Sequence, residues 1–294
     1  MPTPAPTTAT RSQSRVATAR VSVRTARVKE TRRLTPEMIR VVFDGPDLVA
    51  LPVGAYTDAY VKLVFPPADA PYRTAEEYAQ MREGLAAAHR PHLRTYTVRA
   101  YDEDAAELSL DFVYHGDEGL AGPWAAAARP GDEVIFLGPG GGYAPDPDAE
   151  WHLLVGDESA LPAIGAAVER IPAGVPVHVL LEVTGVQEEQ PLTSAAELHV
   201  TWVHRDAVAG VRGDALVEAV RAADLPSGRV HAFVHGEAGF VKQLRHHLRF
   251  ERGVPREMLS VSGYWRLGRD DEGWRAEKAT WKSDVEADEQ RFAS

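Results

Sequence analysis

The residues best suited to chemistry in this sequence are the run Arg94-Thr95-Tyr96-Thr97-Val98-Arg99. On an extended strand Arg94, Tyr96 and Val98 point one way, and Thr95, Thr97 and Arg99 the other. A guanidinium makes fork-shaped bonds to phosphate, and an aromatic ring can lie on a flat heterocycle. A threonine hydroxyl or a nearby backbone N–H can bond a ring nitrogen. Together they suit a flavin nucleotide. The same six residues equally fit an exposed strand with ordinary polar decoration.

Three further groups stand near breaks in the pattern. Asp111-Phe112-Val113-Tyr114-His115-Gly116 ends a strand and leads through Gly119-Leu120-Ala121-Gly122-Pro123-Trp124 into a helix with proline near its start. Free N–H groups there favour a pyrophosphate, and Trp124 could cover an adenine or a flavin edge. A glycine turn with a core tryptophan reads the same way. Gly156-Asp157-Glu158-Ser159-Ala160-Leu161-Pro162 follows an apolar run and opens a helix, with Ser159 as N-cap. Its position marks a nucleotide site, although Asp157 and Glu158 would repel a pyrophosphate placed close by, and a plain capped turn fits as well. Gly236-Glu237 precedes a helix bearing Lys242, Arg245, His246 and His247. Tyr264-Trp265 ends the last strand, where it could reach a flavin or seal an edge. His246 and His247 are adjacent, face different sides of a helix and make a poor metal pair; no metal site is expected.

These groups need two kinds of scaffold. From Val16 to about Gly142 the hydrophobic period is mostly two, with strands expected at 38–43, 59–65, 93–101, 108–115 and 134–137 and turns between them. That spacing predicts an antiparallel barrel, interrupted by helical stretches at 74–89 and 122–129. Past Asp146, strands at 151–155, 175–183, 198–204, 230–234 and 259–264 alternate with helices at 159–171, 213–223 and 237–249. Alternation of this kind predicts a parallel, doubly wound sheet. The expected organisation is a tail over 1–18, a barrel over 19–145, an α/β domain over 150–268, and a charged C-terminal tail or helix over 269–294. Ligands should bind at the carboxyl ends of the parallel strands, facing the barrel.

Composition narrows the function. The formal net charge is −11 over 294 residues, which disfavours nucleic acid as a partner. There is no cysteine, so disulfides, thiolate nucleophiles and Cys-ligated clusters are excluded, and a reducing compartment fits. No apolar run approaches the ~18 residues of a membrane span. The Thr/Ser/Pro/Ala/Arg-rich start lacks the apolar middle of a signal peptide, so a cytoplasmic protein is expected.

Taken in order, Arg94-x-Tyr96-Thr97-x-Arg99, His115-Gly116, Gly122-Pro123-x-Ala125 near Pro130-Gly131-Asp132, Gly138-Pro139-Gly140-Gly141, Gly156 to Ala163, Gly236-Glu237 and Gly263-Tyr264-Trp265-Arg266-x-Gly268 span most of residues 20–268. The series resembles the siderophore-interacting protein family, ferric-siderophore reductases of the ferredoxin–NADP reductase superfamily. The resemblance implies a six-stranded FAD-binding barrel followed by a Rossmann-like NAD(P)-binding domain. It implies that Arg94, Tyr96, Thr97, Val98, Arg99, Asp111 and Val113 hold FAD, with His115, Gly119, Gly122, Pro123 and Trp124 on the diphosphate and adenine side. Gly156, Asp157, Glu158, Ser159 and Ala160 would line the nicotinamide side, with Trp265 near the flavin. Thr97 would act at the flavin, and Lys62 and Arg245 would be basic residues of the siderophore pocket, with Arg129 and Arg266 as further candidates. Two departures stand out. Ser159 takes a place where threonine is commoner, and the Gly119 to Trp124 spacing to the helix differs slightly.

The implied reaction moves electrons from NADH, NADPH or a ferredoxin through FAD to the Fe(III) of an anionic siderophore. Glu182 could accept from an adenosine ribose, whereas Arg205 could pair with a 2′-phosphate, so the donor stays open. Two other readings remain: a flavin-dependent reductase of a protein partner, which would need a flat exposed edge, and a non-enzymatic carrier.

Overall fold

The computed structural model describes residues 22–207 and 210–292. The tail expected over 1–18 lies outside the described residues. Six strands, β1 (Val23–Thr35), β2 (Met38–Asp44), β3 (Tyr60–Phe65), β4 (His92–Asp102), β5 (Glu107–Val113) and β6 (Glu133–Gly140), close into an antiparallel barrel in the order β1-β2-β5-β4-β3-β6. Period-two alternation drives closure: Val28, Val41, Phe43, Val61, Leu63, Leu110, Phe112 and Phe136 all turn into one core. Helix α1 (Ala75–Met81) covers the outside of β3 and β6, packing Tyr78 with Val64, Ile135 and Leu137. It is shorter than the expected 74–89 stretch. It starts with a Thr74/Glu77 capping box and gives way to irregular backbone before a 3-10 turn at Ala87–His89. Helix α2 (Ala121–Ala127) plugs one barrel end with Ala121 and Ala125.

The second half is a five-stranded parallel sheet, ordered β11-β10-β7-β8-β9 from β7 (Trp151–Asp157), β8 (Pro176–Val183), β9 (Glu197–His204), β10 (Val230–Glu237) and β11 (Leu259–Trp265). Strand β7 is buried on both faces, as a central parallel strand must be. Helix α3 (Leu161–Val168) lies on the barrel-facing side, and α4 (Asp214–Ala222) and α5 (Ala238–His246) cover the other. Helix α3 also packs directly on β4. A Cβ on Gly165 would sit 3.0 Å from the Arg99 Nε, so glycine there permits the close approach. The chain then forms a 22-residue helix, α6 (Asp271–Phe292), in the segment for which the sequence left a tail or a helix open. Among the described residues no helix is long and apolar enough to cross a membrane.

Candidate functional site

A cleft of about 770 Å³ opens between the barrel, the carboxyl ends of the sheet strands and α6. Strand β4 reaches it with Arg94, Thr95, Tyr96 and Thr97. Strict alternation would bring only every second residue there. However, β4 pairs with β5 only from Val98 onward, so residues 94–97 have one unpaired edge, and both side-chain sets reach the cleft. Asp111, Val113 and His115 from β5 and the turn after it line the same space, as do Lys62, Glu158, Ser159 and Trp265. Val98 turns into the barrel core. Arg99 reaches across to α3 and bonds Glu169 at 2.6 Å. Trp124 packs inside the barrel against Phe43, Phe65 and Phe112, with ring centroids 5.7–6.3 Å away. Gly119 and Gly122 flank the start of α2, and Pro123 lies in its first turn. A Cβ on Gly122 would approach the Val113 carbonyl oxygen to 3.0 Å. Arg245 lies near the end of α5, outside the cleft.

The β4 residues are held from several sides. Arg94 forms a two-pronged bond to Glu272 of α6 (2.6 and 3.1 Å) and lies 3.3 Å from Asp271. With His92 also bonded to it, Glu272 has its pKa pulled down to about 2, chiefly by the Arg94 guanidinium. The Tyr96 ring packs on Phe112 with centroids 4.2 Å apart, and burial raises its phenol pKa. Asp111 is paired two-pronged with Arg40 (2.6 and 2.7 Å), a link that ties β2 to β5. Thr97 is 8% exposed, and burial raises the Tyr264 phenol pKa. The Tyr264 hydroxyl in turn stands 3.0 Å from His235 Nδ1, and His235 Nε2 stands 3.0 Å from Ser260 Oγ.

The opposite wall is organised around Asp157, at the end of β7. Its buried carboxylate accepts from the Ser159 N–H and hydroxyl, from the Glu237 N–H at 2.9 Å, and from the Trp265 indole N–H at 2.8 Å. Burial, reinforced by neighbouring Glu158, raises its pKa. Ser159 is therefore committed to Asp157 and does not cap α3, whose N-cap is Ala160 with no side-chain bond. Gly156 and Ala160 are packed together: a Cβ on Gly156 would lie 2.5 Å from that of Ala160 and 2.9 Å from the His235 carbonyl oxygen. Glu158 is ion-paired with Arg205, and Arg212 lies over the Trp265 ring at 5.0 Å. Glu182 is buried and accepts from the Gly213 N–H. Both residues considered for donor choice, Glu182 and Arg205, are thus engaged inside the protein.

Helix α6 supplies the residues that sequence reasoning missed. Trp274, Arg275 and Lys278 line the cleft beside Lys62. Burial, and then the Lys62 charge, lowers the Lys278 pKa. Arg275 donates to the Leu93 carbonyl oxygen at 2.6 Å and so fastens the helix to β4. Available signals were Trp274 and Trp281 spaced seven apart, with Arg275 and Lys278 on the intervening turns. The two rings meet edge to face at 5.6 Å.

The cleft suits a flavin dinucleotide. It falls within the ~300–1,000 Å³ typical of small-molecule sites. The Tyr96 ring, the Thr97 hydroxyl and several cations converge on it, and the buried Trp274 indole N–H has no hydrogen-bond partner within the protein. Comparison with known proteins agrees. Residues 27–143 match the siderophore-interacting FAD-binding domain, and residues 149–268 match the siderophore-interacting protein model. An uncharacterized protein of Mycobacterium tuberculosis is 42% identical over 88% of this chain and 94% of its own length. The ferric vibriobactin reductase ViuB of Vibrio cholerae is 32% identical over 83% of this chain and 90% of its own. The crystal structure of the siderophore-interacting protein SipS from Aeromonas hydrophila superposes with a TM-score of 0.75 at 29% identity, covering 90% of this chain and 99% of that one. With an FAD-binding barrel, a parallel α/β sheet and relatives of this kind, the chain belongs to the siderophore-interacting protein family.

Proposed function

We propose that the protein reduces ferric siderophores and releases iron as Fe(II), with electrons from a reduced nicotinamide. The observation that carries the reading is a single cleft lined by Tyr96 and Thr97 together with the cations Lys62, Lys278 and Arg275, the last paired with Asp271. Bound FAD would supply the change from a two-electron donor to a one-electron acceptor. Tyr96, Thr97, Val113 and His115 would hold it within the cleft, with Arg94 at a phosphate. Val98, Arg99, Asp111 and Trp124 act as supports that fix β4 and the barrel end. Gly156 to Ala160 and Trp265 would border the nicotinamide.

Lys62, Arg275 and Lys278 would attract an anionic iron chelate against the overall charge of −11. Fe(II) is the poorer partner for a siderophore's oxygen donors, so reduction frees the metal. Because α6 walls the site, the acceptor that fits is a small chelate rather than the broad face of a protein.

The test uses FAD-loaded protein, NADH or NADPH, a ferric hydroxamate or catecholate, and an Fe(II) chelator. Coloured Fe(II) complex should form, and Lys62→Ala or Lys278→Ala should lower kcat/KM about tenfold, near 1.4 kcal/mol, with FAD still bound. The wild-type rate should fall with salt. If protein reduced with dithionite yields no Fe(II), the reading fails. If dithionite serves but neither nicotinamide does, the donor is a redox protein such as ferredoxin.

A further inference from the structure

We propose that Glu188, Glu37 and Thr184 form a clasp that sets the gap between the two walls of the cleft, which makes them positioning residues for hydride transfer. One wall is the barrel, with Tyr96, Thr97 and His115; the other is the strand ends of the sheet, with Glu158, Ser159 and Trp265. The clasp joins the β1–β2 turn to the turn after β8. The Glu188 carboxylate accepts from the Thr35 hydroxyl at 2.5 Å and from the Glu37 N–H at 3.1 Å. The Thr184 hydroxyl donates to the Glu37 carboxylate at 2.6 Å and accepts from the Arg205 guanidinium at 2.6 Å. Arg205 in turn donates to Glu158 at 2.5 Å, and Glu37 stands 3.9 Å from His115 Nδ1. The connection thus runs to a cleft-lining residue on each side.

Burial makes the clasp stiff. Glu188 is 2% exposed and Thr35 8%, so opening it would leave a buried carboxylate without its donors, a costly state. The Arg99–Glu169 tie between the same halves is more open to water, with the Glu169 side chain 42% exposed. The inference rests on the reductase reading with a nicotinamide donor. Such a transfer needs its reacting atoms about 3–3.5 Å apart, and a misplacement of ~1 Å can cost ~100-fold. The two reacting groups would be held by different walls, so the gap between the walls governs their separation. Glu37, Thr184 and Glu188 do not line the cleft themselves and act by placing the residues that do.

The test separates the two half-reactions of the FAD-loaded protein. Thr184→Val keeps the side-chain shape but removes the hydroxyl, and Thr184→Ser keeps the hydroxyl. At saturating NADH or NADPH, Thr184→Val should bleach roughly 10- to 100-fold more slowly than wild type, with Thr184→Ser close to wild type. Reoxidation of the dithionite-reduced protein by ferricyanide needs no ligand on the strand-end wall and should be unchanged. Thr35→Val opens the barrel end of the clasp, should act in the same direction, and serves if Thr184→Val does not load FAD. A readout independent of turnover uses the absence of cysteine: spin labels at Glu103→Cys on the exposed β4–β5 turn and Glu218→Cys on the exposed face of α4 report the distance between the halves. Both valine variants should broaden that distance distribution. Equal losses in both half-reactions, wild-type bleaching in both valine variants, or an unbroadened distribution would overturn the clasp. If neither nicotinamide bleaches the wild-type protein, the donor reading fails with its role for the clasp, and the distance distribution alone then decides whether the clasp fixes the walls.

Discussion

Asp157→Asn changes almost no volume, yet it should be among the most damaging single substitutions in this protein. The two oxygens of Asp157 accept four bonds from three segments: Ser159 after β7, Glu237 at the end of β10, and Trp265 at the end of β11. An amide can keep the Ser159 side but must turn its NH₂ toward the Glu237 N–H and the Trp265 indole N–H, which are both donors. Leaving a buried donor unpaired costs about 1–3 kcal/mol, so two give about 2–6 kcal/mol. Relief from keeping a carboxylate buried, visible in the raised Asp157 pKa, trims the upper end. For a chain of this size that is a melting shift of roughly 5–15 °C. Thermal melts and a double-mutant cycle with Trp265→Phe provide the assay, with coupling of at least about 1 kcal/mol expected between the two sites. A shift for Asp157→Asn below about 2 °C, or simple additivity with Trp265→Phe, would refute the reasoning.

Gly156→Ala should destabilise by about 2 kcal/mol or more, because the added methyl meets Ala160 and the His235 backbone; urea unfolding checks it. Acid should weaken the fold through buried histidines. His152 has its pKa lowered to about 4 by burial and then by His231, and burial also lowers those of His231 and His178. Since the unfolded chain binds these protons more readily, the stability is fully present above about pH 6.5 and is lost as pH falls toward 4. For His152 alone this is on the order of 2 kcal/mol after allowance for solvent screening, and His152→Gln should flatten the melting temperature against pH. Glu272→Gln removes the closer of the two carboxylate partners of Arg94, leaving Asp271. If Arg94 serves a flavin phosphate, FAD should bind up to about fivefold more tightly, a gain of less than about 1 kcal/mol; weaker binding in a fluorescence titration would assign Arg94 to anchoring α6 instead.

The two architectures were legible because the hydrophobic period changes from two to a strand–helix alternation near Asp146, a signal that side-chain burial enforces directly. The cleft was only partly legible. Arg94, Tyr96 and Thr97 stand together in sequence and stay together in space, because one strand carries them. Arg99, on the same strand, departs toward α3, since from Val98 onward the strand pairs with β5 instead of β3 and lies against that helix. Trp124 reads from sequence either as a cover over a ring or as a core tryptophan, and it packs against the barrel residues Phe43, Phe65 and Phe112. The pairing of His235 with Tyr264 depends on the parallel register of β10 with β11, which no local pattern encodes. The placement of α6 was hidden for a related reason: its sequence is polar around most of its circumference, with Trp274 and Val285 as its buried apolar anchors.

That helix has an evolutionary consequence. The family match ends at residue 268 and α6 begins at 271, so one wall of the cleft lies on chain outside the matched residues. Lys278 and Arg275, which line the cleft, can be exchanged there without altering a barrel strand or the parallel sheet. On the reductase reading, residues of α6 other than those that fasten it to β4 could vary what is recognised while the barrel and sheet stay the same.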